Sequence, residues 1–144
     1  MAMLASYATL FALSLVAATA IPMSSEPPLI LLVRSGEGIA LPVLVATLGN
    51  VLGACTTYLI GRGANRVYEK SVKKRSPRGH ERARRILTRY GQPALILSWV
   101  PILGDALVAL AGVTGIRFAP FLFWVTLGKG VRFLVIALAA LNLF

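Results

Sequence analysis

Residues 38–61 read GIALPVLVATLGNVLGACTTYLIG, twenty-four positions without a charge. About 20 residues of helix cross the hydrocarbon core of a bilayer, so 39–60 is a spanning helix. Residues 1–25 carry no charge either, and 3–21 is long enough to cross. Its tail, Val16-Ala17-Ala18-Thr19-Ala20, has the look of a signal-peptide cleavage region, but the first basic residue is Arg34. A signal peptide needs a basic start, so the segment is read as retained. Beyond the centre the chain is apolar but interrupted. Residues 93–103 are uncharged, Gly104-Asp105 intervenes, 106–116 is uncharged again, and 118–144 contains Lys129 and Arg132. Neither eleven-residue piece spans as a straight helix at about 1.5 Å per residue. They join as one kinked helix or fold back as a re-entrant hairpin, with the hairpin favoured by Pro and Gly-Asp at the breaks.

The composition agrees. The chain has 144 residues, 57% hydrophobic and 14% charged, with a mean hydropathy of +0.77. Soluble domains are about 25% charged, and a small soluble core could not bury this much apolar surface. One cysteine (Cys55) and one histidine (His80) exclude a disulfide scaffold, a zinc quartet and a His-based triad. No catalytic residue, metal site or cofactor is expected, and the chain is read as a non-enzyme. Cys55 reads as inert packing within a span.

Charge is concentrated. Residues 62–89 hold eleven Lys/Arg against Glu69 and Glu81. A basic run between apolar segments is a cytoplasmic loop rather than a nucleic-acid site. Within it Ala83, Ile86, Leu87 and Tyr90 recur at helical spacing among Arg82, Arg84, Arg85 and Arg89. That pattern fits an interfacial amphipathic helix, with Arg82, Arg85 and Arg89 toward lipid phosphates and the apolar stripe in the acyl boundary. A solvated linker that merely sets topology fits as well.

The chain also matches itself at an offset of 79. Pro22 meets Pro101, Glu26 meets Asp105, Gly36 meets Gly115, and Thr47-Leu48-Gly49 meets Thr126-Leu127-Gly128. The expected fold is an all-α polytopic membrane protein with two inverted repeats, each a broken re-entrant segment plus a spanning helix. One membrane domain covers 1–144, with repeats at 1–61 and 91–144 joined by the basic segment 62–90. If the broken segments cross fully instead, the repeats are parallel.

At the breaks, Pro22, Pro27, Pro101 and Gly104 interrupt the helices. Ser24-Ser25-Glu26-Pro27 is a helix-start signal, and Asp105 is suited to cap the helix after Gly104. Both tips would present helix N-termini, which favour an anion such as phosphate. Glu26, Asp105, Lys129 and Arg132, with Ser24 and Ser25, are therefore the candidate transport residues. Insertion scales charge about 2.5–3.5 kcal/mol for such a side chain at a helix centre, so pairing is expected. Asp105–Lys129 is the preferred pair, and Arg132 contacts Glu26 or a substrate phosphate; purely structural salt bridges are the alternative. Arg34 and Arg117 lie near segment ends and snorkel. A carboxyl without a partner in a dry site is harder to ionise, which makes Glu26, far in sequence from any base, the candidate protonatable switch.

These residues resemble the DedA family of small membrane proteins (the VTT, or SNARE-associated, domain), and its short YqaA-like branch in particular. The likeness runs through Ile21-Pro22-Met23-Ser24-Ser25-Glu26, Gly49-Asn50-x-x-Gly53-x-x-x-x-Tyr58-x-x-Gly61-Arg62 and Arg89-Tyr90-Gly91. It continues from Ser98 to Asp105, through Ala111-Gly112, to Leu127-Gly128-Lys129-x-x-Arg132. The resemblance implies a bacterial cytoplasmic-membrane protein with two re-entrant elements that translocates phospholipid or polyprenyl phosphate, often coupled to protons. One departure stands out: the two arginines that usually flank the second-half proline correspond here to Ser98 and Gly104. Lys129 and Arg132 are then the alternative source of positive charge.

Membrane lipids, and protons as the coupling ion, are the expected partners; nucleic acid is not, and a homo-oligomer is compatible. The location expected is the inner membrane, with 62–90 in the cytoplasm. A small-solute or ion transporter using the same acids, and a non-transporting membrane organiser, stay open. Removing one partner of a buried pair typically costs about 3–5 kcal/mol. Asp105→Asn is therefore expected to lower protein level in membranes, and Lys129→Gln in the same chain to restore part of it. A double variant no better than the worse single variant would contradict the pair.

Overall fold

The computed structural model describes residues 1–19, 24–71, 85–100 and 103–143. In chain order these form α1 (Ala2–Ala17), α2 (Glu26–Arg34), α3 (Ala40–Ser71), a 3-10 helix (Gln92–Trp99), α4 (Leu103–Val113) and α5 (Phe118–Leu143). Residues 85–90 are also helical, and no strand occurs among the described residues. Pro22, Pro101, Arg82 and Ala83, all singled out in the sequence, lie outside the described residues.

Ala40–Gly63 of α3 and Phe118–Leu143 of α5 are long and apolar enough to cross a membrane. Only 44% and 33% of their apolar windows are buried, whereas the core helix of a soluble protein is mostly buried. Leu44, Leu48, Leu52 and Leu59 stand exposed along α3, and Leu134, Leu138 and Leu141 along α5. Exposed apolar stripes of that length are rare on soluble monomers and are what helices in contact with lipid present. α3 itself runs on for 32 residues, about 48 Å at helical rise. The basic segment expected to start as a loop at residue 62 thus begins as a continuation of the spanning helix. Lys and Arg are good helix formers, and the first proline past this point is Pro77.

The chain divides into two compact units, Met1–Gly53 with Lys129–Phe144, and Ala54–Gly128. Each draws on both sequence repeats, because α3 and α5 each contribute one part to either unit. In the first unit α1 packs on α2, around Leu10, Leu29, Leu32, Val33, Ala46, Phe133 and Ala137. α1 also lies against α3 where α3 is thinnest: a Cβ at Gly49 would stand 2.6 Å from the Phe11 carbonyl, and one at Gly53 would run into the Leu15 carbonyl. Small residues let helix backbones approach this closely in membranes.

In the second unit the 3-10 helix packs on α4. Its core is built on Tyr58, Leu107, Val108, Ala111, Phe121 and Val125. The Tyr58 ring stacks on Phe121 with centroids 4.3 Å apart. Its hydroxyl donates to the Ile116 carbonyl and accepts from Arg62 Nη1 at 3.1 Å, tying α3 to the turn after α4.

The short helices stop in step. α2 ends at Arg34 and α4 at Val113, in the register of the sequence repeat. Each is followed by a glycine in the left-handed region, Gly36 at φ +92° and Gly115 at φ +74°, a conformation that side chains with a Cβ resist.

Three local expectations change. Asp105 does not cap α4: the helix starts at Leu103 and puts Asp105 in its first turn, where the helix dipole still favours a carboxylate. At α2, Ser25 occupies the cap position without a side-chain cap bond, while Ser24 Oγ accepts from the Glu26 N–H at 3.3 Å; Pro27 sits in the first turn. In the basic segment Leu87 is buried in the second unit's core with Ile86 packed against it. That half of the apolar stripe turns into the protein rather than into lipid, because a packed core takes it up. Tyr90 stays exposed under the Arg89 guanidinium, 5.7 Å from the ring centroid, and Arg85 and Arg89 are exposed.

Candidate functional site

Lys129 and Arg132 are three residues apart on α5 and so share one helix face. Arg132 Nη2 donates to Glu26 Oε1 at 2.6 Å, with the two side chains 25% and 40% exposed. Glu26 opens α2, so its carboxylate lies where the helix's unpaired N–H groups and positive dipole end favour an anion. Of the two roles foreseen for Arg132, the structure realises the contact with Glu26. The expectation of a partnerless Glu26 is corrected by the same bond. An arginine a hundred residues away in sequence is its neighbour in space, a distance that no local reading of charge spacing bridges.

Lys129 is 3% exposed within α5, a helix long and apolar enough to cross a membrane. Its ammonium donates to Asn50 Oδ1 at 2.5 Å, and Asn50 Nδ2 donates to the Ser14 carbonyl at 2.9 Å. With the amide NH₂ engaged by a carbonyl, the amide oxygen is the group left to meet the ammonium. Asn50 was not foreseen as a site residue, though the signal was present. It follows Thr47-Leu48-Gly49 as Lys129 follows Thr126-Leu127-Gly128, so these two residues are partners in the repeat register as well as in space.

Ser25 is buried and Ser24 exposed at the start of α2. Asp105 belongs to the second unit, partly buried in the first turn of α4. Gly104 beside it admits no side chain, since a Cβ there would run into the Ser98 backbone. Ser98 is itself 2% exposed. At Ser98 and Gly104, the positions where the resemblance led to an expectation of arginines, the structure shows a tight backbone contact.

The VTT domain family matches residues 2–141, and the chain belongs to that family, also known as DedA. It is 38% identical to the inner membrane protein YqaA of Escherichia coli, covering 93% of this chain and 90% of that one. The inner membrane protein YqaA of Shigella flexneri matches equally, and an uncharacterized protein of Haemophilus influenzae is 34% identical over 88% of this chain and 82% of its own length. No solved structure matches significantly.

Leaving a buried polar partner unmade costs about 1–3 kcal/mol, more where charge is involved. Asn50→Leu is expected to lower the unfolding midpoint of the purified protein in detergent, whereas Asn50→Asp, which keeps an oxygen facing Lys129 but sets the other against the Ser14 carbonyl, restores only part of it. Asn142→Leu, an exposed change on α5, serves as the neutral control. An Asn50→Leu protein as stable as the control would contradict the role of this bond.

Proposed function

We propose that this chain is a multi-pass inner-membrane transporter that moves a phosphate-bearing lipid, phospholipid or polyprenyl phosphate, between leaflets, and that it is built from two inverted repeats. The observation that carries the reading is the Arg132–Glu26 pair at the start of α2, part-exposed between two apolar helices. A guanidinium held by one carboxylate beside a helix N-terminus is a site where a second anion can compete. A lipid phosphate takes the place of Glu26 on Arg132, accepting from the Nη2 that now meets the carboxylate and from the guanidinium's further donors. A proton arriving on Glu26 favours that exchange by releasing the arginine and removing the repulsion between two anions. Proton uptake and phosphate binding are thereby coupled through one side chain.

The repeat architecture has its own support. The common stopping points of α2 and α4, and the positive-φ glycines after them, follow the repeat register. The 3-10 helix rises about 16 Å over its eight residues, and α4 also about 16 Å over its eleven. Each is about half of a 30 Å core, and the two arms pack on one another, as a re-entrant hairpin would. The eleven basic residues of 62–89 orient that segment to the cytoplasm. The YqaA relatives are inner membrane proteins by name, which supports the same location here.

Proteoliposomes containing a fluorescent phospholipid test the function. The purified protein is expected to speed exchange between leaflets over protein-free vesicles. Arg132→Gln should slow it by about tenfold or more, the equivalent of one charge-assisted hydrogen bond. Glu26→Gln should retain exchange and lose its dependence on an imposed proton gradient. Exchange no faster than in empty vesicles would contradict transport and leave a membrane-organising role, with the exposed Arg85 and Arg89 as its lipid contacts.

A further inference from the structure

Hydroxyls in the helices of this chain fall into two groups. Ser6 Oγ donates to the Ala2 carbonyl at 3.0 Å, Thr9 Oγ1 to Ala5 at 2.8 Å and Thr114 Oγ1 to Leu110 at 2.7 Å. That is the usual way for a helical serine or threonine to satisfy itself in apolar surroundings, through the carbonyl one turn back. Ser14 and Thr47 do otherwise. They are 0% and 8% exposed, and neither hydroxyl has a hydrogen-bond partner among the described residues. Both belong to the first unit and flank the polar pair already described: Ser14 gives its carbonyl to Asn50, and Thr47 lies three residues before Asn50 on α3. Buried polar atoms without a protein partner are commonly met by ordered water.

Room exists at one of the two positions. Gly130 follows Lys129 on α5 and faces Thr47: a Cβ built there would have a single neighbour within 4 Å, Thr47 Cγ2 at 3.7 Å. The contrast with Gly49 is sharp, since a Cβ at Gly49 would stand 2.6 Å from the Phe11 carbonyl and 3.0 Å from Ser14 Cβ. At Gly49 the missing side chain permits helix contact; at Gly130 it leaves room for a methyl group beside the Thr47 methyl, on the same threonine whose hydroxyl has no hydrogen-bond partner among the described residues. A bound water has two to four polar partners as a rule; Asn50, three residues after Thr47 on α3, and Lys129, beside Gly130 on α5, each carry N–H donors beyond the bonds they make to the Ser14 carbonyl and to Asn50.

We infer that the first unit binds ordered water between α3 and α5, seated on Thr47 in the space left by Gly130 and adjoining the Asn50–Lys129 pair. Such water offsets part of the desolvation of the Lys129 ammonium and makes this polar seam wet at membrane depth. The site is independent of which solute or lipid the protein carries.

Water-edited solid-state NMR of the full, isotopically labelled chain in phosphatidylethanolamine–phosphatidylglycerol bilayers reads this directly. Magnetisation from water is expected to reach Thr47 Cβ several-fold faster than the buried Leu10 and Phe133 and than Leu32, which is 7% exposed against 8% for Thr47, and nearly as fast as the turn residue Ser35. Gly130→Ala fills the space without a clash and favours the helix, so it folds; in that variant transfer to Thr47 should fall to the Leu10 level. Slow transfer to Thr47 in the unaltered chain overturns the proposal. Fast transfer that Gly130→Ala leaves unchanged overturns it as well, because the water would then lie elsewhere.

Discussion

Two cations three residues apart inside an apolar helix constrain everything around them. Each would cost about 2.5–3.5 kcal/mol to place at the centre of an isolated spanning helix, and a helix carrying both unpaired is a poor membrane segment. The structure meets the constraint with partners from earlier in the chain. Arg132 reaches the carboxylate that opens α2, and Lys129 reaches the amide of Asn50 on α3. Those contacts fix which faces of α2, α3 and α5 look inward. The leucine stripes on the opposite faces are then left to lipid.

The close approach of backbones serves the same end. Asn50 lies between Gly49 and Gly53, the two positions where α1 lies against α3, and its amide reaches the Ser14 carbonyl on α1. A larger residue at either glycine would push α1 outward and lengthen that bond. In the second unit Tyr58 has the corresponding structural weight, with a ring in the core and a hydroxyl on the turn carbonyl of Ile116. Packing by small residues and pinning by single polar groups substitute for the hydrophobic effect, which gives little preference between helix and lipid.

Much of this is written in the sequence, and the parts that are not share a cause. The long apolar runs give α3 and α5, and the matched glycines give the ends of α2 and α4, because length, hydropathy and positive φ are local properties. The extension of α3 to Ser71 is also local, but it is masked by a change from apolar to basic residues that leaves helix propensity intact. The destination of Leu87 could not be read, since an amphipathic stripe packs equally well on lipid or on protein. Glu26 looked isolated for the same reason: its arginine comes from the far end of the chain. Asn50 was the one legible residue passed over, because a neutral amide in an apolar helix draws less notice than a charge, although the repeat set it opposite Lys129.

Transport in the form proposed rests on inverted repeats, because only then do the two broken segments enter from opposite faces and present helix N-termini near the midplane. A reporter fused after residue 144 tests that most directly. With the basic segment 62–90 inside, inverted repeats place the C-terminus outside: a periplasmic alkaline phosphatase fusion is active and a green fluorescent fusion is dark. Green fluorescence without phosphatase activity would put the terminus in the cytoplasm, make the repeats parallel, and contradict the architecture on which the proposed exchange at Arg132 depends.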